Sequence, residues 1–155
     1  MVIDADLSLC AVATSAGVIS LTPQAETTVD THVSTNVVDL SKYPRNVINQ
    51  LYFVFQCAVV PISAGGGTLQ IDLVTSAVAG LTTPTVMWSS GILANATIVA
   101  WTANSTIFAF KVPAHMALRY LGCNYSIATA VLTAGSWRAF FTVDAPYLIA
   151  PTPSS

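Results

Sequence analysis

At 155 residues the chain is the size of one domain, and with 8% charged against 54% hydrophobic residues it has little charge with which to cover its own surface. Its five basic residues, Lys42, Arg45, Lys111, Arg119 and Arg138, are too few and too scattered to neutralise a run of phosphates, which argues against nucleic acid and anionic membranes as partners. A surface this poor in charge is expected to touch other protein.

From the N-terminus, the apolar stretch 7–18 follows Asp4 and Asp6, where a secretory signal would carry basic residues, so it reads as part of the domain with a strand over 4–11. The stretch 17–34 is polar, holds Pro23 and Glu26, and reads as an inserted arm; a short strand is expected at 36–40. Residues 51–60 are apolar-rich but fall short of the roughly 20 needed to cross hydrocarbon, and they end at Pro61. Here Phe53, Phe55, Cys57 and Val59 share one face and Tyr52, Val54, Gln56 and Ala58 the other, which predicts a strand buried on both sides. Gly65, Gly66 and Gly67 form a turn. After it Leu69, Ile71 and Leu73 alternate with Gln70, Asp72 and Val74, predicting a hairpin with the previous strand and Asp72 in solvent.

No charge occurs between Asp72 and Lys111, yet Thr, Ser, Asn, Gly and Pro recur throughout, which marks sheet and not a membrane span. Strands are expected at 86–89 and at 107–112, the latter closed by Pro113. Leu121, Cys123, Tyr125 and Ile127 alternate with Gly122, Asn124 and Ser126, and Trp137, Ala139, Phe141 and Val143 alternate with Arg138, Phe140 and Thr142. The short connection between them predicts a second hairpin. Helix should be minimal, since Glu26 is the only glutamate and Lys42 and Lys111 the only lysines. The sum is an all-β antiparallel sandwich or barrel of about eight strands over 1–147, with a loose proline-bearing tail at 148–155.

Catalytic chemistry is thinly supplied. His32 stands two residues from Asp30 and from Ser34, a spacing that on a strand could imitate part of a hydrolytic triad or a metal site, but no second histidine supports coordination and a polar arm residue is the reading. His115 follows a proline turn. Asp4 and Asp6 share a strand face and read as a solvated edge in preference to a calcium site. The three glycines lack the Lys-Ser/Thr ending of a phosphate loop. Cys10, Cys57 and Cys123 are an odd, widely spaced set, expected free and buried as in a reducing compartment. No catalytic group, cofactor or metal is expected. Trp137 belongs inside, whereas Trp88 and Trp101 border Ser- and Ala-rich turns as subunit-contact anchors; Asp4, Asp6, His32, Arg119 and Arg138 complete the candidate interface residues.

The segments VPAHMALRYLGCNY at 112–125 and LTAGSWRAFFTVDAPY at 132–147 resemble a family of tailed-bacteriophage capsid cement, or decoration, proteins. STNVVDL at 34–40, GGGTLQIDLVTSA at 65–77 and SSGILANATI at 89–98 follow that family's order, so the likeness covers 34–147; it departs at 17–34 and at Gly122-Cys123. The resemblance implies a jelly-roll sandwich that assembles as a homotrimer in the bacterial host cytoplasm. It would sit outside the phage head at three-fold and quasi-three-fold positions, bridging subunits of the major capsid protein and stabilising the shell. A second reading is a carbohydrate-binding jelly-roll module of a viral fibre or surface protein, with Trp88, Trp101 or Tyr125 as the stacking platform.

Overall fold

The computed structural model describes residues 5–16 and 18–143. Among these residues lie ten strands: β1 (Ala11–Ser15), β2 (Val18–Thr22), β3 (Asp30–Val33), β4 (Val38–Asp39), β5 (Tyr52–Ile62), β6 (Thr68–Ser76), β7 (Thr85–Leu93), β8 (Ser105–Lys111), β9 (Tyr120–Ala128) and β10 (Ala134–Thr142). Helix is confined to single turns, chiefly α1 (Arg45–Ile48) and α2 (Asn95–Ile98), as the shortage of Glu and Lys predicts. All pairings are antiparallel.

One sheet has the order β10-β5-β8, and backbone bridges from Ser8 to Phe140 and from Gln24 to Trp137 extend it beyond β10. The other has the order β3-β9-β6-β7, with β4 also on β9. With the Gln24 segment counted as the first position and β3 as the second, the sheets read 1-8-3-6 and 2-7-4-5. That is the jelly-roll order of two interleaved Greek keys.

This order overturns both expected hairpins of consecutive long strands. β5 pairs with β10 and β8, not with β6, and β9 pairs with β3, β4 and β6, not with β10. The connections 63–67 and 129–133 instead carry the chain from one sheet to the other. They cross side by side: Ser63 Oγ donates to Val131 O at 2.8 Å, and Thr133 N donates to Ile62 O at 2.7 Å. Gly67 lies so near Ala130 that any side chain there would strike the Ala130 carbonyl oxygen. A short connection permits either a hairpin or a crossing, and here the apolar faces of all four strands decide for the crossing, because each must look across the sandwich at another.

Between the sheets Phe53, Phe55, Ile71, Leu73, Tyr125 and Trp137 meet, all at 1% exposure or less. Fully burying such a side chain contributes about 1.5–3 kcal/mol each. β5 is buried on both faces as far as Ala58, as its sequence predicts, but Val59, expected inside, is exposed where the β5–β10 register shifts between Ser136 and Trp137. The β1–β2 ribbon lies over the outside of its sheet, where Leu21 packs with Val54 and Phe140. The 17–34 stretch, expected as an arm, supplies β2 to that ribbon and β3 to the edge of the second sheet. Asp72 is a further correction: it alternates outward from Ile71 and Leu73 but is only 9% exposed, because Gln70 folds its amide over the carboxylate and Ser89 and Asn124 flank it.

Candidate functional site

Along one side of the sandwich the chain passes from the first sheet to the second through residues 23–30, and polar side chains tie the two together. Gln24 Nε2 donates to Val33 O at 2.9 Å and to Glu26 Oε1 at 2.8 Å, while Thr35 N donates to Gln24 Oε1 at 3.0 Å. His32, opposite Tyr125 in the β3–β9 ladder, places Nδ1 3.1 Å from Glu26 Oε2 and Nε2 3.1 Å from Thr28 O. Its acidic partner is therefore Glu26, which strand spacing did not reveal. Asp30 and Ser34 are engaged elsewhere: Asp30 Oδ1 accepts from Thr31 N, and Ser34 Oγ donates to Asn36 O and accepts from Cys123 N.

The opposite end holds most of the charge. Arg119 forms a bidentate pair with Asp39, at 3.1 and 2.9 Å, and lies over the Tyr120 ring. The Arg119 guanidinium holds the Asp39 carboxyl well below the usual carboxylate range, with help from the Ser41 hydroxyl and backbone. Lys42 Nζ is 3.8 Å from Asp6. Arg138, on β10, is turned to the outside of its sheet, where it donates to Leu21 O and Asn104 Oδ1. Asp4, the remaining candidate, lies outside the described residues.

The tryptophans are packed inward. Trp88 lies tilted against Phe110 at 4.5 Å and edge-on to Phe108 at 5.2 Å, and Trp101 meets Phe55 edge-on at 6.0 Å. Both are half-buried against the core, and Tyr125 is 1% exposed, so these three rings form no open stacking platform. Cys10, Cys57 and Cys123 are free and buried; burial pushes all three thiols up, Cys123 furthest. Among the described residues no group of three or more His, Cys, Asp or Glu is placed to hold a metal ion. No helix there is long and apolar enough to cross a membrane.

Since the strands alternate in direction, connections 63–67, 94–104 and 129–133 gather at one end, and Leu132 N bonded to Thr27 O brings 25–29 there as well. The first three contain no charged residue, while Val29, Ile62, Val99 and Val131 stand exposed. Asp6, Asp39, Lys42, Arg45, Lys111 and Arg119 cluster toward the other end. A family model described as Bbp16 matches residues 22–141, most of the chain. The chain belongs to the Bbp16 family. That family is phage-associated, which makes this a virion-related protein. In this Bbp16-family chain the match opens at the last residue of β2 and closes one residue before the end of β10, so it takes in both sheets and the polar tie between them. No curated protein matches the chain.

Proposed function

We propose that this chain is a structural virion protein that acts as a trimeric cement, bound outside a tailed-phage head at three-fold and quasi-three-fold positions and bridging major capsid subunits. The observation that carries this reading is the separation of charge along the sandwich. At one end three connections carry no charge and valine and isoleucine stand exposed, with Glu26 of the neighbouring 25–29 segment paired with His32, which is the character of a surface that meets other protein. Membership of a phage-associated family supplies the setting, and the shell is the covering surface we assign to that end. A stable contact needs about 1,000 Å² of total burial, and a trimer offers three identical footprints that engage together, so modest single contacts add up through effective concentration. A bridge that binds only the closely packed shell lowers that arrangement's free energy by linkage. The role calls for no catalytic group and no cofactor.

The first test is the solution mass by light scattering in reducing buffer. The proposal expects a mass three times that of the chain, held on dilution; a monomer at all concentrations would refute it.

A further inference from the structure

Asp72 is the only charged residue from 46 to 110, and among the described residues it has no cationic partner. Both carboxylate oxygens share one amide, Gln70 Nε2, at 3.0 Å each. A nearly buried carboxylate compensated by a single neutral donor is an expensive arrangement unless something else approaches it. Directly across the β6–β9 ladder stands Asn124, whose Oδ1 is buried without a hydrogen-bond partner. Cross-strand partners carry their Cβ atoms about 5 Å apart, so the two acceptors face one another's neighbourhood on the outer face of the sheet. Ile92, 74% exposed and opposite Gln70, and Val33, opposite Asn124, flank them with apolar surface. An acceptor-rich centre framed by exposed apolar side chains has the composition of an anchoring site for a basic side chain.

The chain itself carries the complementary group. Lys42 and Arg119 are paired with Asp6 and Asp39, and Arg138 is bonded to Leu21 and Asn104. Arg45, exposed at the start of α1, and Lys111, exposed at the end of β8, have no anionic partner among the described residues, and of the two the planar fork of Arg45 suits two carboxylate oxygens and an amide oxygen together. Resting on the trimer reading, we propose that Arg45 of a second copy of this chain displaces the Gln70 amide from Asp72 and pairs with that carboxylate beside Asn124. A three-fold ring requires a heterologous contact between two different patches, and a sheet face meeting the start of a helix is such a contact.

The test measures the trimer dissociation concentration by light scattering for the unaltered chain, Asp72→Asn, Arg45→Gln, their double variant, and Lys111→Gln. Asp72→Asn and Arg45→Gln should each raise it roughly thirtyfold, with the double variant no worse than the singles, while Lys111→Gln leaves it unchanged. Circular dichroism melts confirm folding, and Arg45→Gln, on an exposed turn, reads the contact even if Asp72→Asn disturbs the sheet. A trimer insensitive to both changes, effects that simply add, or an effect from Lys111→Gln in place of Arg45→Gln overturns the contact while leaving the trimer standing. Dissociation of the unaltered trimer by EDTA, reversed by calcium, would assign the two acceptors to a cation and overturn it as well. A monomeric unaltered chain fails the trimer reading itself.

Discussion

Gly67 and Gly122 are required by close approach. A side chain at Gly67 would meet the fixed Ala130 carbonyl, and one at Gly122 would meet buried Leu81 of the 77–84 connection. Gly67→Ala is expected to cost about 1–3 kcal/mol, seen as a lower urea midpoint, and Leu81→Ala should rescue Gly122→Ala but not Gly67→Ala. Asp39 sets an acid limb on stability. Its folded carboxyl titrates below the unfolded value of about 3.9, so the contribution is full above that value and fades as pH falls below it. Urea midpoints at pH 6 and pH 3 should therefore differ less in Asp39→Asn, and the difference should shrink in high salt because the pair is exposed. The buried thiols should react with a thiol reagent at pH 8 only on unfolding. Much at this scale was legible: the inward positions of Phe53, Phe55, Ile71, Leu73 and Trp137 follow from period-two alternation alone. Asp72 was placed on the right face and given the wrong environment, because alternation reports direction and not what covers a face. Its isolation as the one charge among 65 residues, 46–110, was the available signal.

Among elements, the tie made by Gln24 is the most exposed to test. Removing its amide leaves Val33 O and Thr35 N without their partner across the sheets. Gln24→Ala should cost about 1–3 kcal/mol in the urea midpoint and speed hydrogen exchange at the Gln24 and Trp137 amides, which bond each other's carbonyls, more than at the centre of β6. The tie itself could not be read from sequence: Gln24, Glu26 and His32 fall in a polar stretch without periodicity, and only the pairing of its two ends with different sheets brings them together. The long strands were legible and their partners were not. Alternation identifies β5, β6, β9 and β10 one at a time, whereas a five-residue connection serves a hairpin and a crossing equally. Trp88 and Trp101 show the same limit, since the turns beside them suggested exposure and the rings turn back onto Phe108, Phe110 and Phe55.

For the whole molecule, composition carried the strongest message. Too little charge for a free surface predicted a covered one, and the fold concentrates what charge exists toward one end while leaving three connections of the other without any. We propose that this surface docks on a phage shell and strengthens it. The direct measurement adds purified protein to heads of its phage assembled without it, then follows binding and the temperature of DNA release. Saturable binding at three-fold and quasi-three-fold positions, with release moved to higher temperature, is the expected result. Heads that bind no protein, or that bind it and release DNA at an unchanged temperature, would overturn a cementing role.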